Sequence, residues 1–263
     1  MNVLRGKSTV FVTLRRLLVC GLFAATAASA GCDDEHDHSD AVRVSGSVGE
    51  FSPGNGLVGL ADATVCVYDR RDLACTSTDS EGAYVLDHVP ADSEVLLEFT
   101  KDAFVPQIGP ITTAKADIGP VDIRLAANSL AEIFFGILGG EFPLGATGGV
   151  TFGTYDMEQG GGLEPDSGAP GYVVTYAPES GTDVTYVSDG EIPEAGLTET
   201  QLPGWGAFTN VTAGEVTVTF DRADGSCPTV RNGYGWASRQ DGTSLTVPII
   251  AGYLTSAALL CRR

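Results

Sequence analysis

Two six-residue strings restrict the fold of this chain more than any other feature: Glu94-Val-Leu-Leu-Glu-Phe99 and Glu215-Val-Thr-Val-Thr-Phe220. Each carries a large apolar residue at every second position, Val95, Leu97 and Phe99 in one and Val216, Val218 and Phe220 in the other. A period of two places all three on one face of an extended strand, where a helix would scatter them. Both strings follow a Gly-Ala-aromatic start and a short turn. Gly82-Ala-Tyr84 aligns with Gly206-Ala-Phe208, and Val89-Pro-Ala91 with Val211-Thr-Ala213, three residues being deleted from the second copy. Upstream, Val44-Ser-Gly-Ser-Val48 and Ala63–Tyr68 correspond more loosely to Gly149-Val-Thr-Phe-Gly153 and Tyr172–Tyr176.

A repeat unit of that size implies two domains of one fold, not a solenoid of short repeats. Composition agrees: 34 Gly and 13 Pro among 263 residues, with only 19% charged, describe strands separated by many turns. The fold class expected is all-β, as two tandem β-sandwiches at 42–126 and 147–262. The linker 127–146 holds the one helix-like segment, Asn128–Leu138, with Ser129 and Glu132 placed as a capping box. Its apolar residues suit packing between the domains or the start of the second sheet.

The first copy carries a family resemblance. Gly46 to Val48, Ala63 to Val67, Thr78-Asp-Ser-Glu-Gly82-Ala-Tyr84 and Val89-Pro90-Ala91 together resemble the carboxypeptidase regulatory-like domain, a transthyretin-like (prealbumin-like) Greek-key β-sandwich. Residues 42–126 follow the pattern well, and 147–262 only around 205–220. The resemblance implies a non-catalytic role, because in carboxypeptidases this domain accompanies the enzyme without performing the reaction. The residues themselves support it locally. Asp79 offers Asx-turn chemistry and Gly82 a positive φ to close a hairpin, while Tyr84 and Phe208 are large enough to fill a sandwich.

The first 31 residues read as a signal peptide. Arg5, Lys7, Arg15 and Arg16 precede an apolar run, Leu17–Ala28, that is too short to span a bilayer. Small residues Ser29-Ala-Gly31 then run into Cys32, which resembles the lipobox of bacterial lipoproteins. That resemblance implies acylation of Cys32 and a membrane anchor, since several acyl chains on one residue hold a protein stably. Ser29 stands where the family usually has Leu, and cleavage near Ala30 without lipidation is the alternative. Asp33 resembles the inner-membrane retention signal of enteric bacteria, and the choice of membrane stays open. The expected location is the cell envelope, lipid-anchored or periplasmic/extracellular. Residues 32–41, with Asp33, Asp34, Glu35, Asp37 and Asp40 beside His36 and His38, have the composition of a solvated, disordered tether.

An exported chain permits disulfides. With Cys20 lost and Cys32 acylated, Cys66, Cys75, Cys227 and Cys261 remain. Cys66–Cys75 reads as a hairpin centred on Arg70-Arg71, which sets the two cysteines opposite each other on a non-hydrogen-bonded pair, with Cα atoms about 4.5 Å apart. Arg-Arg is poor chemistry for a two-residue turn, so a four-residue loop, Asp69–Asp72, is favoured. Val65 and Val67 then face the core and the bridge lies outside. Cys227 and Cys261 pair by elimination.

The remaining features exclude more than they assign. Against 34 Asp+Glu stand 15 Lys+Arg, a net charge of −19 that repels phosphate backbones and argues against a nucleic-acid partner. His88 is the only histidine outside the tether and reads as a turn residue, so no triad or acid/base pair can be named and no enzyme is expected. No cofactor is expected. Carboxylates at Asp79/Glu81, at Asp156/Glu158/Glu164/Asp166 and at Asp189/Glu191/Glu194 lack EF-hand spacing and read as acidic turns. The function read from sequence is a non-catalytic structural or binding role at the envelope, with an envelope protein or a glycan as partner. Two alternatives stay open: a carbohydrate-binding or adhesion module using the loop aromatics Trp205, Tyr234 and Trp236, and weak metal handling by His36 and His38.

Overall fold

The alternating strings become strand β6 (Glu94–Thr100) and strand β13 (Gly214–Arg222), with Val95, Leu97, Phe99, Val216, Val218 and Phe220 all buried. The computed structural model describes residues 41–54, 58–157, 168–225, 230–232 and 234–262. Before β6 run β1 (Ala41–Glu50), β2 (Val58–Gly59), β3 (Thr64–Val67), β4 (Thr76–Ser77) and β5 (Ala83–Pro90); after it come β7 (Gln107–Thr112) and β8 (Ile123–Leu125). Helix α1 (Asn128–Ile137) follows, then β9 (Thr147–Met157), β10 (Tyr172–Ala177), β11 (Thr185–Tyr186) and β12 (Trp205–Thr212) ahead of β13. The chain ends with β14 (Val230–Asn232), β15 (Gln240–Asp241), β16 (Ser244–Ile249) and β17 (Leu254–Arg262).

Three sheets result. One has the order β2-β1-β5 with β8 parallel to β1; a second is β10-β13-β16-β15; the third runs β11-β12-β9-β17-β7-β6-β3-β4, with β14 also on β17. The first sheet covers the β7-β6-β3 part of the long sheet over a core that includes Val44, Leu86, Leu97 and Phe99. The β10-β13-β16 sheet covers the β12-β9-β17 part over a second core of Val150, Phe208, Val218, Phe220 and Leu259. The protein is therefore all-β and of sandwich type, with a single α-helix among the described residues.

The repeat is deeper than the sequence alignment indicated, and shifted from it. Pairing is the same in both halves: β1 with β5 and β9 with β12 antiparallel, β3 with β6 and β10 with β13 antiparallel, and the last strand parallel to the first, β8 to β1 and β17 to β9. Thr78 and Thr200 mark the true register. Thr78 Oγ1 donates to Leu60 O (2.6 Å) and accepts from Ala63 N–H (2.9 Å); Thr200 Oγ1 donates to Ala169 O (2.8 Å) and accepts from Tyr172 N–H (3.0 Å). Gly82 and Gly204, four residues on, share φ near +80° (81° and 72°) and receive equivalent bonds on their carbonyls, from Val48 N–H (2.8 Å) and Thr154 N–H (2.6 Å). A Cβ on either would collide with the carbonyl oxygen of Val48 or Thr154, so both positions require glycine.

Thr78–Pro90 thus matches Thr200–Thr212 without a gap, and Gly82-Ala-Tyr84 does not align with Gly206-Ala-Phe208 as the sequence suggested. The sequence alignment was two residues out at Gly82-Ala-Tyr84, a slip that preserves the buried face, whereas its match of Val89 with Val211 holds. Structurally, Tyr84 corresponds to Gly206. Tyr84 pairs across the ladder with Gly46, and Gly206 with Phe152. Large and small residues have exchanged strands, and the ring occupies the same place. Tyr84 meets Phe99 edge-on at 6.0 Å and Phe152 meets the equivalent Phe220 at 6.1 Å. Packing volume is what the repeat holds constant. A β-bulge recurs too, with left-handed residues His88 (φ 61°) and Asn210 (φ 55°) immediately before the buried Val89 and Val211. His and Asn are among the non-glycine residues that tolerate that conformation best.

The two halves are joined by hydrogen bonds as well as by chain. Strand β17 lies parallel to β9 along nine residue pairs and continues parallel to β7 through Leu254↔Gln107 and Thr255↔Ile108. Tyr234–Ala237 reinforces this seam: Gly235 N–H donates to Pro110 O (2.9 Å), Ala237 N–H to Thr112 Oγ1 (2.9 Å), and Tyr234 Oη to Asp122 O.

The disulfide Cys66–Cys75 is present, with Cα atoms 4.5 Å apart. The register Thr64↔Ser77 and Val65↔Thr76 continues onto that pair, and Val65 and Val67 are buried inside it. The loop is longer than the four residues expected. Two successive turns close it, Arg70 N–H to Val67 O (3.2 Å) and Leu73 N–H to Arg70 O (3.0 Å), with Asp69 left-handed. Cys261 is disulfide-bonded, and Cys227 lies outside the described residues.

Four substitutions test the shared register. Thr78→Val and Thr200→Val each strand a buried carbonyl and a buried N–H, and each should cost about 1–3 kcal/mol of stability in urea unfolding. Gly82→Ala and Gly204→Ala add backbone strain and a steric clash, and should cost about 2–4 kcal/mol.

Candidate functional site

Helix α1 positions the site. Its first turn starts from Ala127, whose carbonyl accepts Leu130 N–H (3.0 Å) and Ala131 N–H (2.9 Å), and no side chain caps it. The capping box expected from Ser129 and Glu132 does not form, because the helix begins before Ser129 can occupy the cap position. Gly139 (φ 72°) ends the helix. Ala131, Phe135 and Leu138 lie three to four residues apart, hence on one face; Ala131 and Phe135 pack with Val105, Leu144 and Leu254, and Leu138 is buried too. Ile133 and Ile137 fall on the opposite face and are 61% and 41% exposed.

Between α1 and the sheet lies a cleft of about 560 Å³, mostly apolar in lining. The helix contributes Ala131, Phe134, Phe135 and Leu138. Small residues on the outer face of β9, β12 and β17 form its floor: Thr151, Gly153, Ala207, Ser256 and Ala258. One wall is aromatic, with Phe51 edge-on to Trp205 (5.0 Å) and to Phe134 (5.9 Å). At the mouth Arg124 faces Glu191 at 3.9 Å. Glu191 is left-handed (φ 59°) and also accepts the Gly54 N–H (2.8 Å), which ties its loop to the end of β1.

Polar groups inside the cleft are few. The hydroxyls of Thr151, Thr185, Ser256 and Tyr155 line it and make no hydrogen bond among the described residues. Gln107 is buried and donates to Arg124 O (2.8 Å). Burial pushes the Tyr155 and Tyr234 hydroxyls above the ordinary tyrosine range, as it does Tyr84, whose Oη donates to Val121 O (2.8 Å). Mostly apolar clefts of this size with a few convergent polar groups are the usual form of a small-molecule site.

The other residues singled out from sequence are placed as follows. His88 is exposed and serves the β5 bulge. Asp79 Oδ1 accepts the Glu81 and Ala83 N–H groups (both 2.9 Å), an Asx turn as expected. Asp189 accepts Leu202 N–H (3.2 Å). No group of three or more His, Cys, Asp or Glu among the described residues is arranged to hold a metal ion. The loop aromatics do not form an exposed platform. Tyr234 and Trp236 are each 8% exposed, Arg239 lies 4.2 Å over the Trp236 ring, and Trp205 turns into the cleft. Cys32, His36, His38, Cys227, Glu158, Glu164 and Asp166 lie outside the described residues. Among the described residues no helix is long and apolar enough to cross a membrane.

The cleft was not foreseen from sequence, although a signal was present. Leu254–Cys261 is apolar almost without interruption, the pattern of a strand covered on both faces. The small residues at alternate positions of β9, β12 and β17 leave the space that the helix roofs.

No protein-family model and no curated protein matches the chain. Several solved structures are similar in part. A type II cohesin–X-dockerin complex from Acetivibrio cellulolyticus is 19% identical over 33% of this chain and 58% of that one, with a TM-score of 0.28. The Bacillus anthracis TIE protein is 10% identical over 85% of this chain and 34% of that one (TM-score 0.25). GBS52, the minor pilin of Streptococcus agalactiae, is 9% identical over 84% of this chain and 96% of that one (TM-score 0.26). At these values the likenesses carry no argument about what the chain does.

Alkaline titration checks the burial of the tyrosines. For Tyr84, Tyr155 and Tyr234 the folded pKa lies above the unfolded value of about 10. Their contribution to stability is complete below that value and is lost as pH rises toward the folded pKa values. Tyrosinate absorbance should therefore appear in two phases, with these three residues ionising only together with loss of β-sheet signal.

Proposed function

We propose that the chain is a non-catalytic binding or structural module of the bacterial cell envelope, held at a membrane by acylation of Cys32. The observation that supports this best is the order basic segment, short apolar run, small residues, cysteine, acidic tether, followed at Ala41 by an all-β body. Tethers of that composition stay solvated and let a folded domain stand off the bilayer. Within the body, the Thr78 and Thr200 hydroxyls bridge backbone groups and the Asp79 carboxylate closes a turn. The site left for recognition is the cleft beneath α1. The Cys66–Cys75 bridge suits an oxidising compartment, and we assign Cys227 as the partner of Cys261.

Two measurements test this. Growth with an alkynyl palmitate analogue should label the wild-type protein and place it in the membrane fraction, while Cys32→Ala abolishes the label and releases the protein. No label, or a label that survives Cys32→Ala, contradicts the anchor. Non-reducing peptide mapping should recover Cys227 joined to Cys261; a free Cys227 thiol contradicts that assignment.

A further inference from the structure

We infer that the cleft between α1 and the outer face of β9, β12 and β17 binds an uncharged, mostly apolar molecule bearing one hydroxyl or carbonyl group. The inference rests on reading the folded body as a binding module, but not on acylation of Cys32.

Three observations define the ligand class. The first is the lining. A cleft of about 560 Å³ with mostly apolar walls is a poor host for water, which needs two to four polar partners at each site. The floor is open because Ala207 and Ala258 stand where larger side chains would fill it, while the place above Gly153 is taken by the Tyr155 ring. The second is the rim. Among the large apolar residues exposed in the described chain, Ile192 and Leu202 directly adjoin in sequence the cleft residues Glu191 and Pro203, while Ile133 and Ile137 lie on the far face of α1. Exposed apolar side chains next to an apolar cleft suit the approach of a water-insoluble molecule.

The third observation is the charge. Three charged residues line the cleft: Arg124 and Glu191 face each other at the mouth, and Asp122 Oδ1 accepts from the Ser47 N–H (2.8 Å) and hydroxyl (2.7 Å), so each already has a partner within the protein. A net charge of −19 on the whole chain repels anions at long range. An anion entering the cleft would also have to displace Glu191 from Arg124, and a cation would have to displace Arg124 from Glu191. An uncharged molecule disturbs neither. For its polar end, the hydroxyls of Ser256, Thr151 and Tyr155 line the cleft with no partner among the described residues and can each donate or accept.

The test is fluorescence titration of the protein with the neutral apolar dye N-phenyl-1-naphthylamine, followed by displacement with 1-decanol or decanoate. The dye should bind saturably at one site per chain. Decanol should displace it at least about tenfold better than decanoate, after each is corrected for its own partition into octanol at the same pH. Ala207→Phe, which fills the floor, should weaken dye binding by about tenfold or more with the circular dichroism unchanged. Ser256→Ala, which keeps the space and removes a hydroxyl, should leave dye binding intact and weaken decanol several-fold. Absence of saturable dye binding, or decanoate displacing as well as decanol after correction, overturns the inference. So does wild-type binding of both probes by folded Ala207→Phe and Ser256→Ala. Because dye binding and palmitate labelling are read independently, failure of the cleft and failure of the anchor are told apart.

Discussion

Strand β17 is the constraint on which the rest of the structure depends. It closes the second sandwich by lying parallel to β9, as β8 closes the first by lying parallel to β1. It then does what β8 does not, extending the ladder to β7 of the other half. A strand with neighbours on both edges has no free backbone row, and one covered on both faces is mostly apolar. Leu254, Ala257, Ala258, Leu259 and Leu260 fit that pattern. With β17 in place, two sandwiches share one long sheet, and α1 is laid across the outer face of its second half. The cleft exists because that face is floored with Ala207, Ser256 and Ala258 while the helix above it carries Phe134 and Phe135.

The repeat shows which parts of a sandwich are physically required. Sequence identity between the halves is low, yet a threonine bridge, a left-handed glycine and a bulge recur at the same places. Each satisfies a backbone demand that few residue types can meet. Thr78 and Thr200 supply a donor and an acceptor at once to a loop that crosses the core edge. The side chains that fill the core are freer, provided the volume is kept. Tyr84 opposite Gly46 in one half becomes Gly206 opposite Phe152 in the other, and each ring finds the equivalent phenylalanine.

Legibility in the sequence followed locality. The alternation at Val95–Phe99 and Val216–Phe220, the Asx turn at Asp79 and the Cys66–Cys75 pair are set by residues a few positions apart, and all could be read directly. The capping box at Ser129 was misread because the helix starts two residues earlier than that motif demands, with Ala127 at the cap. The alignment of Gly82 with Gly206 failed for a subtler reason. A two-residue slip along a strand leaves every side chain on its proper face, so hydrophobicity cannot detect it; the Thr-x-x-x-Gly spacing shared by Thr78–Gly82 and Thr200–Gly204 could have. The pairing of β17 with β7 and the cleft under α1 depend on segments more than a hundred residues apart, and no local pattern names such a partner. The aromatic residues Tyr234 and Trp236 looked like a surface platform for the same reason, since the burial that removes them from solvent comes from the seam between halves.

The central claim is that β17 and the Tyr234–Ala237 seam make the two sandwiches one cooperative unit. Native-state hydrogen exchange in increasing urea tests it most directly, by following the amides of β6 and of β13. If the account is right, the slowest amides of both strands converge on the same opening free energy and the same denaturant dependence. If the β13 amides exchange through a separate, lower-energy opening while β6 stays protected, or the reverse, the sandwiches unfold independently and the account is wrong.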